Sequence, residues 1–227
     1  MPRVNEPAVH AEGLARAEKA CPLCGSPLYG WLTLPDPRSR PTVGRPVANA
    51  AGGRVLDRCE ECGAGVEEAD RPVDLEQELR ALEGTLEDGT RAVLAANRRS
   101  WQASLGGEGW AAIDSRPGRL LLTAPALQLL ARHAGAELGE VRFPPLGPNQ
   151  RWMWQTLLNG LTFHPNFARE VRAGRLRPGT ARSRFAFLAD CIATVLAAPL
   201  VALVSIPAEL LAVLSRRGGL IQAPLRG

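Results

Sequence analysis

Apolar residues are spaced differently in successive parts of the chain, and each spacing predicts a different element. Short apolar runs bounded by turn residues predict strands at residues 28–34, 54–57, 90–96, 118–123 and 138–143. Leu75, Leu79, Leu82 and Leu86 recur at helical spacing, so we expect an amphipathic helix there. Asp70 or Asp74 could cap its start, and Asp88-Gly89 would end it.

Two more helices carry their own boundary signals. Ser100 is a candidate N-cap for a short helix in "NRRSWQASLG". In "TAPALQLLARHAG", Thr123 would be the N-cap, Pro125 lies in the first turn and Gly135 follows the last turn. Helices therefore alternate with strands across residues 67–150, which predicts an α/β fold.

The longest apolar run lies near the C-terminus. The eighteen residues "CIATVLAAPLVALVSIPA" separate Asp190 from Glu209 and carry no charge. A helix that spans a bilayer needs about 20 residues, and two prolines interrupt this run, so we expect an apolar helical hairpin over 181–217, bent at Pro199. Arginines flank it, and an amphipathic, Trp-rich connector precedes it at 151–180, so residues 185–215 are predicted to contact a membrane surface. The alternative is a pair of ordinary core helices or a partner interface.

Four of the five cysteines form two C-x-x-C pairs, Cys21/Cys24 in "CPLCG" and Cys59/Cys62 in "CEECG". Two intervening residues allow a tight turn to aim both thiolates at one ion, and four thiolates form a closed, structural Zn²⁺ site. We therefore predict a zinc ribbon at residues 21–66 with these four cysteines as ligands. A redox dithiol or four unconnected thiols are the alternatives. Cys191 stands alone in the apolar run and is expected to be a buried apolar residue.

Charge and composition exclude few functional classes of protein. The net charge is +4, and all but one of the 27 basic residues are arginine. They are spread along the chain apart from a cluster at 169–184, so nucleic-acid binding is not favoured, although a zinc-ribbon nucleic-acid binder remains an alternative. Residues 1–20 lack an apolar signal-peptide core and indicate a flexible leader, so we expect a cytoplasmic protein at the inner face of the membrane. His133 would suit a helix C-terminus, and His10 and His164 carry no recognisable catalytic pattern.

Several segments in order carry a family resemblance: "EEADRP", a Leu-rich helix, "EDGT", a strand, "ANRRSWQASLGGEGW", "RLLLTAPALQLLARHAGA", "WMWQTLLNGLTFHPNF" and "RRGG". From Glu67 to Phe143 the chain resembles the second half of a class I S-adenosylmethionine (SAM)-dependent methyltransferase, and the likeness continues to the C-terminus. That family binds SAM through a glycine-rich turn after its first strand and an acidic residue after its second. No segment here has that pattern.

The resemblance implies a truncated Rossmann-like domain at 67–150, with the SAM-binding half missing and SAM binding not expected. Strand 91–95 would then have an open edge, which a protein partner or the ribbon would cover; the C-terminal "LIQAPL" within the tail at 218–227 is a further option. The function implied by the resemblance is a non-catalytic, zinc-binding, methyltransferase-like accessory protein that scaffolds or regulates a partner, with envelope glycan or lipid synthesis as the implied pathway. An active SAM-dependent methyltransferase with a shared cofactor site is the alternative.

Overall fold

A computed structural model describes residues 19–34, 54–113, 117–145, 147–174, 176 and 181–226. It contains eight strands: β1 (Leu28–Leu34), β2 (Arg54–Cys59), β3 (Gly65–Glu67), β4 (Glu83–Thr85), β5 (Arg91–Ala96), β6 (Leu120–Leu121), β7 (Glu137–Leu138) and β8 (Leu220–Arg226). The α-helices are α1 (Leu75–Ala81), α2 (Trp101–Gly106), α3 (Ala124–His133), α4 (Pro148–Asn159), α5 (Phe167–Arg172) and α6 (Ala181–Leu214). Residues 1–18 of the leader predicted at 1–20, with His10, and most of the loop between the cysteine pairs lie outside the described residues.

The strands form two small sheets, in the orders β1-β2-β3-β6 and β4-β5-β8-β7. Every pairing between these strands is antiparallel. A Rossmann-like sheet is built mainly of parallel strands joined by crossover helices. The mixed α/β class is therefore confirmed, whereas the described strands do not form the parallel sheet that we expected.

The expectation of an open edge at residues 91–95 was wrong. β5 pairs with β4 on one side and with β8 on the other, where Val93 lies opposite Ala223 and Ala95 opposite Ile221. Val93, Ala95, Ile221 and Ala223 are all buried. The C-terminal "LIQAPL" is thus the segment that covers the edge, because its alternating apolar residues match the buried face of β5.

The first predicted helix is shorter than its leucine spacing suggested. Asp74 caps α1 by accepting a hydrogen bond from the Gln77 amide, but the helix ends at Ala81 and the chain turns into β4. Asp88-Gly89 forms the turn of the β4–β5 hairpin, with Gly89 at φ +83°. An Asp-Gly pair is a strong hairpin signal, and pairing with β5 outweighs one more helical turn.

The predicted caps of the next two helices are confirmed. Ser100 accepts from the Ala103 amide at the start of α2, and Thr123 accepts from the Ala126 amide at the start of α3. Gly135 follows α3 with φ +69°. Of the strand expected at 138–143, only Leu138 belongs to β7, and Arg142 makes an isolated bridge to Gln222.

The predicted hairpin at 181–217 was also wrong, since α6 is one continuous helix of 34 residues that includes Pro199 and Pro207. Proline removes one helical hydrogen bond and usually kinks a helix rather than reversing it. The Trp154 indole Nε1 donates to the Ala198 carbonyl at 3.4 Å, so α4 packs against α6 beside the first proline. Reversal would have required a loop, and no glycine or polar turn occurs in this stretch.

One hydrophobic core joins the parts that the sequence suggested were separate domains. It includes Cys21 and Cys59 of the cysteine cluster, Leu127 of α3, Val93 of β5 and Ile221 of β8. The boundary expected between residues 66 and 67 falls inside β3. The cysteine region therefore packs directly on the α/β region.

Candidate metal centre and the exposed apolar helix

The structure brings the four predicted ligands together. The Sγ atoms of Cys21, Cys24, Cys59 and Cys62 all lie within 4.8 Å of one another. The Sγ–Sγ distances are 3.6 Å for Cys21–Cys62 and 3.4 Å for Cys24–Cys59. Four sulfurs about 2.3 Å from a central ion in tetrahedral geometry would lie roughly 3.8 Å apart. The cluster can therefore hold a metal ion, and the donor set and spacing fit Zn²⁺.

Each cysteine pair lies on a turn that its glycine makes possible. Gly25 and Gly63 follow the two pairs with φ +76° and +77°, values that other residues adopt only with strain. The Gly25 amide donates to the Cys21 carbonyl at 2.9 Å, and the Cys59 amide donates to the Ala64 carbonyl at 2.8 Å. These bonds fix both turns, so the thiols are positioned by the backbone as well as by any bound ion.

Helix α3 connects the two turns. At its start, the Thr123 hydroxyl donates to the Cys62 carbonyl at 2.7 Å. At its end, His133 Nε2 lies 2.8 Å from the Leu23 carbonyl, so its N–H donates to the first turn. The expected role of His133 at a helix C-terminus is thus accompanied by a specific contact that the sequence did not reveal. Because one helix holds both cysteine turns, loss of the metal should disturb the core and not only the ribbon.

The electrostatics of the cluster favour a thiolate at Cys21 over one at Cys59 or Cys62. The hydrogen bond from the Cys62 thiol lowers the pKa of Cys21 to about 5. The same bond raises the pKa of Cys62, and burial raises that of Cys59. Arg98 is next to the cluster, donates to the Gly63 carbonyl and stacks over Trp31 at 4.7 Å. Zn²⁺ would be bound by all four sulfurs as thiolates, leaving no open position for water, which makes the centre structural.

Helix α6 is the second candidate feature, since it presents an apolar face to the exterior. Residues 184–214 are long and apolar enough to cross a membrane. Within an 18-residue apolar window of this helix the mean hydropathy is 2.3, yet only 11% of the window is buried. Its exposed apolar side chains recur at three- and four-residue intervals: Phe185, Leu188, Ile192, Val195, Leu196, Leu200, Leu203, Val204, Ile206, Leu210, Leu211 and Leu214. This spacing places them on one side of the helix. Phe163, in the turn after α4, is also exposed.

The two carboxylates of α6 lie on its opposite side. Asp190 is fully buried, and its carboxylate accepts from the Phe163 amide at 2.7 Å and the His164 amide at 3.1 Å. His164 Nδ1 donates to the same carboxylate at 2.6 Å. Asp190 therefore fixes the first third of α6 to the turn between α4 and α5.

Glu209 makes the equivalent attachment near the other end of the helix. It is fully buried and accepts from Gln102 Nε2 at 2.8 Å and from the Gly219 amide at 3.0 Å. Burial raises the pKa of Glu209 above its ordinary value of 4.5. A Cβ at Gly219 would overlap the Gln102 amide, so a side chain at this point of "RRGG" would displace Gln102 from Glu209. The helix is thus attached to the rest of the protein at two buried carboxylates.

Sequence reasoning found the cysteines but missed both attachments. Asp190 and Glu209 were noted only as the charged ends of the apolar run. Their side-chain partners, His164 and Gln102, lie 26 and 107 positions away, and no local spacing connects them. Two isolated acidic residues inside one apolar helix were the available signal, because an unpaired carboxylate there would be costly. Cys191 is half-buried on α6 rather than fully buried.

No family model matches the sequence, and comparison with curated proteins and with solved structures gives no match.

Proposed function

We propose that this protein is a metal-stabilised accessory protein that attaches to a membrane surface through α6 and has no catalytic centre of its own. The observation that carries this proposal is the inverted polarity of α6, whose carboxylates face the protein and whose leucines face outwards. A helix in water has the opposite arrangement. A contiguous exposed apolar face of this kind marks an interface, and its chemistry matches a lipid hydrocarbon region.

The two carboxylates support a helix that lies along the bilayer rather than across it. Asp190 and Glu209 are 19 positions apart, which corresponds to about 28 Å of helix. That length is close to the thickness of the hydrocarbon core, about 30 Å. In a crossing helix, the two attachments and the part of the protein between them would have to enter the lipid. A helix lying in the interface buries only its outward face, to a depth of about 5–10 Å.

The arginines at the two ends of α6 are also consistent with a helix that lies along the bilayer surface. Arg184 precedes the apolar face, and Arg216 and Arg217 follow it, all exposed. Arginine side chains at both ends can reach phosphate groups while the helix is partly immersed. The location that follows is the cytoplasmic face of the membrane, where anionic lipids attract basic residues.

The metal and the fold give the protein its rigidity in this proposal. Zinc holds the two cysteine turns together, and α3 transmits that order to the core. The sequence lacks the glycine-rich turn and the acidic residue through which class I methyltransferases bind SAM, so methyl transfer is not part of this proposal. Calorimetric titration with SAM is therefore expected to give no binding heat, and saturable heat would favour the methyltransferase alternative.

The test is co-sedimentation with phosphatidylcholine–phosphatidylglycerol vesicles. Leu196 and Leu203 are 74% and 70% exposed, and transfer of each into lipid should contribute about 1–2 kcal/mol. The double variant Leu196→Asp/Leu203→Asp should reduce vesicle binding at least 30-fold. Leu105→Asp is the matched control, because this leucine is 65% exposed on α2 and should leave binding unchanged.

Vesicle binding that is equal in all three proteins would contradict the proposal. So would a wild-type protein that forms a stable dimer in sedimentation velocity and leaves vesicles unbound. In that case a second copy of the chain would be the partner of the apolar face.

A further inference from the structure

A basic cavity lies at the C-terminal end of α6. It has a volume of about 550 Å³ and is lined in part by Arg99, Arg142, Arg216, Glu140, Phe143 and Val213. The three arginines come from separate segments: the turn after β5, the stretch after β7 and the residues after α6. Their convergence is therefore a product of the fold and not of a local basic run.

The cavity has a surplus of positive charge. Arg142 pairs with Glu140 at 3.3 Å, but both side chains are largely exposed, so the pair is weak. Within the described residues, Arg99 and Arg216 have no carboxylate within ion-pair distance. Ala124 and Pro125, in the first turn of α3, also line the cavity and add the partial positive charge of a helix start. The lining of the cavity thus includes three arginines and one carboxylic acid.

The backbone around these arginines is fixed. Arg217 Nε donates to the Arg99 carbonyl at 3.1 Å, which ties the end of α6 to the turn after β5. The Arg142 amide and carbonyl both pair with Gln222 of β8. The positions of the three arginine backbones are consequently set before any ligand arrives, which lowers the entropy lost on binding.

We propose that this cavity binds a phosphomonoester group. The guanidinium fork matches phosphate oxygens, and a phosphomonoester with nearly two negative charges balances the surplus of the site. The group could belong to a soluble metabolite or to a lipid headgroup such as phosphatidic acid. Val213 lies in the last turn of α6 and Arg216 directly follows this helix, so the lipid source rests on the proposed membrane attachment, whereas the soluble source does not.

The experiment compares the wild type with Arg99→Gln/Arg142→Gln/Arg216→Gln. Arg80→Gln is the matched control, since Arg80 is also exposed and paired with a carboxylate, but lies on α1. Glycerol 3-phosphate is titrated by calorimetry, and vesicles of phosphatidylcholine are compared with vesicles that also contain phosphatidic acid or phosphatidylglycerol. Each lost arginine contact should weaken binding about fivefold.

Saturable glycerol 3-phosphate binding that only the triple variant loses would support the site and assign it a soluble ligand. A preference for phosphatidic acid over phosphatidylglycerol that only the triple variant loses would assign a lipid ligand. The inference is overturned if the triple variant behaves as wild type in both assays, or if both anionic lipids respond equally and glycerol 3-phosphate does not bind. Failure of the membrane proposal would abolish vesicle binding while leaving the glycerol 3-phosphate result intact.

Discussion

Replacement of Asp190 by alanine should strongly destabilise the protein, because this carboxylate holds α6 against the turn between α4 and α5. The change leaves the His164 amide and His164 Nδ1 buried without an acceptor. Each unsatisfied buried donor costs about 1–3 kcal/mol, so the loss of the acceptor for two of them costs several kcal/mol. We expect Asp190→Ala to lower the free energy of unfolding by about 3–5 kcal/mol.

Asparagine at position 190 distinguishes the contribution of the hydrogen bonds to stability from that of the negative charge. Asp190→Asn retains one acceptor oxygen, so it should cost about 1–3 kcal/mol, less than alanine. Glu87→Ala serves as the control, since Glu87 is an exposed acid in the β4–β5 turn and should change stability by less than about 0.5 kcal/mol.

Urea unfolding followed by tryptophan fluorescence measures these differences, because Trp152 and Trp154 lie on α4, which packs against α6. Hydrogen exchange adds a local readout at the Phe163 and His164 amides. If Asp190→Ala unfolds at the same urea concentration as Glu87→Ala and keeps both amides protected, the attachment does not hold the helix and the reasoning fails.

Three further predictions concern the metal, the second attachment and its glycine. The wild type should contain one zinc per chain by atomic emission, and Cys59→Ser should lose this zinc whereas Cys191→Ser should keep it. A chelator should unfold the wild type, because structural zinc contributes about 10–16 kcal/mol, which is as much as the stability of a whole domain. Glu209→Gln should gain stability relative to wild type as the pH rises from below 4.5 through the raised pKa of Glu209, because the folded wild type prefers the protonated acid. If the difference between the urea unfolding midpoints of the two proteins stays the same across this pH range, the prediction is wrong. Gly219→Ala should cost about 1–3 kcal/mol in thermal unfolding, whereas Gly30→Ala, with no atom near its Cβ position, should cost under about 0.5.

Local signals in the sequence were reliable wherever short-range chemistry decides the structure. The caps at Ser100 and Thr123 follow from hydroxyl groups that reach an amide three residues away. The four cysteines follow from ligand spacing. Strands β1, β2 and β5 follow from apolar runs between turn residues.

The features that the sequence did not predict depend on contacts between residues that are distant in sequence. Pairing of β8 with β5 joins residues more than 120 positions apart, and nothing near either strand specifies it. The leucine pattern at 75–86 could not show that β-pairing would end the helix at Ala81. The prolines of α6 suggested a reversal, but packing on α4 and the two buried carboxylates keep the helix continuous. The sequence could not show that Asp190 and Glu209 attach α6 to the protein, because the side chains that contact them are distant in sequence.

The placement of α6 at the bilayer surface is tested most directly by measuring how deep three of its positions lie. Spin labels at Leu188, Leu200 and Leu210, all exposed, can be introduced into a Cys191→Ala background while zinc protects the other thiols. With vesicles, power saturation should place all three labels at a similar depth of about 5–10 Å below the phosphates. A depth that changes steadily along the helix by about 1.5 Å per residue would mean that α6 crosses the membrane, and labels that stay in water would mean that it does not bind lipid.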